Sequence, residues 1–177
     1  MVYWDRVKNF QTWVAVWIGT AGGAGLVPKM PGTAGSAVAV PLFWYFADWG
    51  WPYKLEILVA ILLVGTWAAK VFDEAMQTGD NQCIVIDEVL GIGITTFLLT
   101  RQSTAWEWLA AFVLFRLFDI IKIAPVRQLD RWSKKKAKGG SPWYGGFGVM
   151  GDDLLAGVQG LIVMIILNEF HVFRNAL

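Results

Sequence analysis

Residues 55–72 read LEILVAILLVGTWAAKVF, an apolar stretch rich in leucine and alanine on most faces of a helix. Four further apolar segments and a shorter aromatic piece, predicted to be helical, accompany it: Ser36–Trp51, Ile84–Leu99, Ala105–Ile123, Leu154–Leu167 and Phe10–Ile18. Strands of alternating polarity do not fit runs that are apolar on most faces. The pattern predicts one all-α domain over residues 1–177, a polytopic membrane helix bundle.

The composition supports a membrane setting. The chain is 56% hydrophobic and 16% charged, against about 45–50% and about 25% in soluble domains. Its 11 tryptophans are typical of a protein at membrane interfaces. None of the segments is a charge-free run of the roughly 20 residues that a simple span needs. Either the helices include polar flanking residues, or some are core helices of a soluble bundle; we favour the membrane.

Basic residues crowd the stretch between the last two apolar segments: Arg127, Arg131, Lys134, Lys135, Lys136 and Lys138. Such a cluster marks the cytoplasmic side and can hold anionic headgroups, and it favours a membrane partner over nucleic acid. If the chain is threaded from that side, the acidic motifs and the loop before Ser36 all fall on one face. The sequence therefore predicts a surface metal-phosphate site that faces the cytoplasm.

Two acidic pairs begin predicted helices. Asp87 and Glu88 start the third segment, where acids beside apolar residues cost free energy and usually have a function. The alternative is that they complement the helix macrodipole. Asp152 and Asp153 follow the glycine-rich stretch Gly145–Gly151, which predicts a loop leading to a helix N-terminus that favours an anion. The alternative is an ordinary aspartate N-cap.

Two more polar motifs fall at the same level. Arg116, Asp119 and Lys122 recur every three residues, so they form either a salt-bridge ladder or the wall of a phosphate pocket. The stretch Pro28–Ser36 is predicted to be a rigid loop that binds phosphate or turns the chain. Thr33 and Ser36, the loop's hydroxyl residues, could instead cap the next helix.

Few other reactive groups are present. The single cysteine, Cys83, lies in a predicted loop and has no arginine placed downstream of it as in cysteine phosphatases, and the single histidine, His171, falls on the other face by this topology. Both observations argue against cysteine or histidine nucleophiles. Carboxylates with a metal remain. Mg²⁺ prefers oxygen ligands, polarises a phosphoryl group and activates a bound water.

Four motifs, in order, resemble the phosphatidylglycerophosphatase A family over about residues 10–168: PGTAGS at 31–36, IVIDE at 84–88, FRLFDIIK at 115–122 and GGFGVMGDDLLAG at 145–157. The resemblance implies a bacterial enzyme of the inner (cytoplasmic) membrane. It would use Mg²⁺ to remove the terminal phosphate from phosphatidylglycerol phosphate, a phospholipid substrate, and leave phosphatidylglycerol. Where the family usually has Lys-Pro-x-Pro, this chain has Lys122-Ile123-Ala124-Pro125, so the local bend differs.

The resemblance suggests a role for each motif. The metal ligands would be Asp87, Asp152 and Asp153, with Glu88 as a ligand or general base. Asp119 would join the metal shell or orient the bases, and the phosphate would be bound by Arg116, Lys122, Thr33 and Ser36. The nucleophile is a metal-bound water or an aspartate.

Two rival functions stay open. A transporter or channel component would use the acids as a cation path, but it would spread them through the depth of the membrane. A CDP-alcohol phosphotransferase is also acid-rich and dependent on Mg²⁺. Its spaced motif of Asp-Gly, Ala-Arg and two later aspartates is not found in this sequence.

Overall fold

The computed structural model describes residues 2–78, 81–122, 124, 126–128 and 142–173. This part of the chain is helical and contains no strand, which confirms the all-α prediction. The helices are α1 (Phe10–Gly19), α2 (Pro31–Tyr45), α3 (Trp51–Met76), α4 (Ile86–Thr95), α5 (Ala105–Ile121) and α6 (Pro142–Glu169), with short 3₁₀ turns at Trp4–Arg6 and Ala24–Leu26. Most of the basic stretch, residues 129–141, lies outside the described residues.

The short helix α4 lies at the centre of the bundle and packs against α2, α3, α5 and α6. Two glycines make this possible: a Cβ on Gly91 would overlap the ring of Phe115, and one on Gly93 would overlap Phe43. On the facing side, a Cβ on Gly157 of α6 would lie 2.7 Å from the carbonyl oxygen of Gly91. The α4 and α6 backbones therefore touch, as small residues permit between helices.

Three helices begin earlier than the sequence predicts. Helix α3 starts at Trp51 instead of at Leu55. Helix α2 starts with Pro31 in its first turn instead of at Ser36, because proline is pre-organised for that position. Helix α6 starts at Pro142 instead of at Leu154, so Gly145–Gly151 is helical and the predicted loop is wrong. The glycines serve helix packing here, since a Cβ on Gly146 would lie 2.5 Å from the Thr66 carbonyl oxygen of α3.

The predicted span lengths are only partly right. Among the described helices, Trp51–Met76 and Gly146–Glu169 are long and apolar enough to cross a membrane, and only 28% and 44% of their most apolar windows are buried inside the protein. Helix α4 is shorter than the predicted segment Ile84–Leu99. Its ten residues span about 15 Å, roughly half the hydrocarbon thickness of a bilayer, because tight turns take up the ends of that segment. The aromatic piece at 10–18 is helix α1, as predicted.

We expect Gly157→Leu to destabilise the protein by about 1–3 kcal/mol, since the added side chain has no room against α4. The adjacent Val158→Leu, on the exposed side of α6, should change stability by less than about 0.5 kcal/mol. Thermal unfolding of both variants in detergent checks this. Equal midpoints for the two variants would contradict the close α4–α6 contact.

Candidate active site

Polar side chains from four helices meet at one end of the bundle. Helix α2 brings Ser36, α4 brings its first-turn acids, α5 brings a basic and an acidic residue from its last two turns, and α6 brings adjacent aspartates from within its length. The predicted site residues at this end are Thr33, Ser36, Asp87, Glu88, Arg116, Asp119, Lys122, Asp152 and Asp153. The fold therefore brings these residues together at one end of the bundle, as the helix order predicts.

Glu88 links three of these helices. Its carboxylate, only 10% exposed, forms an ion pair with Nη1 of Arg116 on α5 and accepts a hydrogen bond of 2.6 Å from Oγ of the buried Ser36 on α2. A Cβ on Gly32, at the start of α2, would overlap Oε1 of Glu88 and lie 3.3 Å from Nη1 of Arg116. The absence of a side chain at Gly32 lets the first turn of α2 approach the ion pair.

The two basic residues of α5 pair with three acids, since Arg116 contacts Asp119 as well as Glu88 and Lys122 contacts Asp152. Arg116 Nη1 lies 2.9 Å from Asp119 Oδ2, so this first rung of the predicted ladder is present. Lys122 has a left-handed backbone (φ +47°) and ends α5. From there its Nζ lies 2.9 Å from Oδ2 of Asp152 on α6. The two cations therefore tie α5 to α4 and α6 and offset part of the negative charge.

Asp153 and its neighbour Asp152 are the two least exposed acids of the site. Only 5% of Asp153 is exposed, and within the described part of the chain its Oδ2 has no hydrogen-bond partner. The charges of Asp87, Glu88, Asp119 and Arg116 all act on it. A buried carboxylate oxygen without a partner is costly, so this position suits a cation or a protonated carboxyl group.

The environment of Asp152 and Asp153 corrects a prediction. They lie about three turns inside α6, since the helix begins at Pro142, and they neither cap a helix nor face free N–H groups. Successive helical side chains point about 100° apart. Asp153 therefore faces the cluster around Glu88, while Asp152 reaches Lys122.

The first turn of α2 supplies the helix N-terminus at this site. Thr33 and Ser36 are helical and do not cap the helix, because the N-cap position is Met30. Ser36 bonds Glu88 and the Gly32 carbonyl, and Thr33 lies half-buried in the first turn. The N–H groups of a first turn have no intrahelical partner, and here they lie beside Arg116.

A sequence model described as Phosphatidylglycerophosphatase A matches residues 17–168. The chain belongs to this family. Phosphatidylglycerophosphatase A of Escherichia coli (strain K12) is 36% identical over 157 residues, covering 87% of this chain and 82% of that protein. The protein of that name from Haemophilus influenzae is 34% identical over 144 residues, covering 80% and 81%.

A differently named relative is equally similar. A putative phosphatidylinositol-3-phosphatase of Bacteroides thetaiotaomicron is 33% identical over 163 residues, which cover 88% of this chain and 94% of that protein. No solved structure matches the chain. As a member of the phosphatidylglycerophosphatase A family, the chain is a phosphatase that acts on phosphate monoesters.

A cation at this cluster would have few protein ligands among the described residues. In the described residues, no group of three or more His, Cys, Asp and Glu side chains is placed to hold a metal ion. Mg²⁺ commonly binds through only one or two carboxylates and keeps several waters. The unpartnered oxygen of Asp153, with Asp87 acting on it electrostatically, fits such a requirement.

Sequence reasoning missed a second polar cluster, which orders the connection from α3 to α4. Asp73, only 8% exposed, accepts hydrogen bonds from Oγ1 of Thr78 (2.7 Å) and from the backbone of Asn81 (3.0 Å). Asn81 Oδ1 in turn accepts from the Cys83 backbone N–H at 3.0 Å. The signal in the sequence that could have revealed this cluster is Asp73, an acid near the end of an apolar segment. The cluster leads the chain into the turn of α4 that carries Asp87.

Cys83 and His171 stay outside the active site. Cys83 is half-buried and contributes its backbone to the Asn81 turn. His171 follows the C-terminal end of α6, which is the end away from Asp153. That neither residue takes part in the chemistry stays a prediction.

Arg116→Met should lower the free energy of unfolding by about 3–5 kcal/mol, because it leaves Glu88 buried without its cation. Removing both charges, as in Arg116→Met with Glu88→Gln, should recover a large part of that loss. Arg101→Met is the matched control, since its pair with Asp48 is exposed and should contribute less than about 1 kcal/mol. Chemical denaturation of the natural protein, Arg116→Met, Glu88→Gln and the double variant gives the coupling energy. Strictly additive losses would show that Arg116 and Glu88 do not stabilise each other.

Proposed function

We propose that this phosphatase hydrolyses phosphatidylglycerol phosphate to phosphatidylglycerol and phosphate. The family and its similarly named relatives support this substrate. The observation that carries the proposal is the buried cluster of Glu88, Arg116 and Asp119 against the first turn of α2, with Asp153 beside it. An anion and a cation would both find partners at this position.

The phosphate would bind between α2 and α5. The hydrogen bonds that Arg116 makes with described residues use Nη1, and its N–H groups on Nε and Nη2 can clamp a phosphate in a bidentate way. The first-turn N–H groups of Gly32 and Thr33 add donors at the positive end of the helix dipole. Lys122 would attract the phosphate while paired with Asp152.

We propose Mg²⁺ as the cofactor. Of the four predicted ligands, Asp87 and Asp153 would hold it, while Glu88 and Asp152 are ion-paired with Arg116 and Lys122 and would orient these cations or complete the coordination. The ion would supply polarisation of the phosphoryl group and an activated water. The residues of the chain would align the phosphate and exclude bulk water from the buried acids. A carboxylate nucleophile is the alternative route to the same products.

Two long helices support the proposed membrane setting. Helices α3 and α6 are long and apolar, and less than half of each apolar window is buried inside the protein; exposed large apolar side chains lie over the outside of the bundle, which is typical of a surface that meets lipid. We propose a multi-pass protein of the bacterial inner membrane whose site faces the cytoplasm. A phosphatase in this setting accounts for the acids better than a transporter, because they meet at one level.

A second candidate substrate is a phosphatidylinositol 3-phosphate. The relative from Bacteroides thetaiotaomicron carries a name of that activity and matches over nearly its whole length. Both lipids present a phosphate monoester beyond a phosphodiester. They differ in the alcohol that leaves, which is a small primary glycerol hydroxyl in one and a bulky secondary ring hydroxyl in the other.

The first experiment measures phosphate release by the purified protein from phosphatidylglycerol phosphate in detergent, with Mg²⁺ and with EDTA. We expect release that requires Mg²⁺. Asp153→Asn should lower kcat/KM by at least about 100-fold, as expected for a group at the reacting centre. Asp48→Asn, an exposed acid at the other end of the bundle, is the matched control and should keep full activity. A folded protein that releases no phosphate with any divalent ion would refute the proposal.

The two substrates are compared in the same assay. We expect kcat/KM for phosphatidylglycerol phosphate to exceed that for phosphatidylinositol 3-phosphate, because the phosphate on a small primary glycerol hydroxyl is less hindered than one on a bulky ring hydroxyl. The reverse order would assign the protein to the activity named for the Bacteroides relative.

A further inference from the structure

An apolar groove runs between α2 and α5 on the outside of the bundle. It has a volume of about 590 Å³, which is in the range of about 300–1,000 Å³ found for small-molecule sites. No charged residue is among the described residues that line it. Four residues of each helix form its walls: Ala37, Val40, Pro41 and Trp44 of α2, and Ala105, Trp108, Leu109 and Phe112 of α5.

The groove leads directly from the candidate active site. Its α2 wall begins at Ala37, the residue after Ser36, and its α5 wall ends at Phe112, one turn before Arg116. Helices α2 and α5 therefore carry the site at one end and the groove along the rest of their length. The walls run from residue 37 to 44 and from residue 105 to 112, which is about 10 Å along each helix.

The sequence explains why the two helices leave this space. Ala37 and Ala105 are small, so little fills the gap at either end of the groove. Pro41, inside α2, has no N–H for the carbonyl of Ala37, and proline in a helix interior disturbs the local helical packing. The side chains of Trp44 and Leu109 are about half exposed, at 47% and 49%, and they form rims that a ligand could cover.

We propose that this groove binds one acyl chain of the phospholipid substrate and so aligns its headgroup with Arg116. This inference rests on the proposed function. The groove is open and carries no charged residue among the described residues that line it, and it lies on the same two helices that would bind the phosphate, so an acyl chain of a lipid bound there reaches it, whereas a helix of a second copy would have no link to the phosphate. The acyl chain would then lie at the depth of the hydrocarbon layer of the bilayer, while the phosphate stays at the polar end of α2 and α5.

Groove-filling variants test the proposal by kinetics. Ala105→Trp and Leu109→Trp shorten the groove without touching the ion pairs of the site, and Leu63→Trp, on the exposed face of α3 (65% exposed), is the matched control. The substrates are dipalmitoyl phosphatidylglycerol phosphate in mixed micelles and its deacylated, water-soluble headgroup. Each buried methylene is worth about fourfold in binding, so loss of two or more should raise KM for the lipid at least about tenfold.

The deacylated headgroup separates a groove effect from damage to the site. We expect its KM and kcat to stay unchanged in both groove variants, and the control to behave like the natural protein with both substrates. An unchanged KM for the lipid would overturn the proposal. An equal loss with both substrates would overturn it as well, because that result reports a distorted active site.

A second readout does not depend on phosphatase activity. A phospholipid with a photoactivatable group in mid-chain is incorporated in vesicles with the full-length protein and cross-linked. Adducts should concentrate on residues 37–44 and 105–112 and fall severalfold in Ala105→Trp but not in Leu63→Trp. Adducts spread evenly over α3 would overturn the proposal, as would a dimer that disappears in the groove variant. If adducts form in the groove but the protein releases no phosphate, the proposed function is refuted, while the proposal that the groove binds an acyl chain stands.

Discussion

Glu88 is a carboxylate inside an apolar bundle, and its ion pair with Arg116 is the interaction on which the site depends. A buried carboxylate is tolerated only with a cation and hydrogen-bond donors around it. Arg116 supplies the charge from α5 and Ser36 supplies a hydroxyl from α2. One side chain of α4 therefore fixes the rotation of two neighbouring helices and brings the first turn of α2 to the guanidinium group.

On the other side of α4, close backbone contact fixes the position of α6. Because neither Gly91 nor Gly157 carries a side chain, α6 approaches until the two backbones touch. Thr95 adds a hydrogen bond of 3.2 Å to the carbonyl oxygen of Gly157. This contact fixes α6 relative to α4. It thereby sends Asp153 toward Glu88, while its neighbour Asp152 meets Lys122.

A lipid phosphatase needs a polar centre that remains next to apolar chains. Here the charged residues gather at one end of helices whose remaining length is apolar, so a headgroup and its acyl chain could be bound by the same two helices. Arg116 and Lys122 offset part of the negative charge of the acids, so several acids can lie close together. Asp153 keeps an unpartnered oxygen, at a position where a cation would be stabilised. If the proposed sites are right, α2 and α5 would join phosphate binding to lipid selection.

The sequence by itself determined the helical class, the four motifs and the family, because apolar runs and acidic pairs are local patterns. It also placed Asp87 and Glu88 correctly in the first turn of a helix. It missed the starts of α2 and α6, since glycines that appear to break a helix locally are retained where helices touch. Only the tertiary structure decided that Arg116 pairs with Glu88 and Lys122 with Asp152. Partners distant in sequence depend on helix rotation, and packing around the glycines of α4 and α6 sets that rotation.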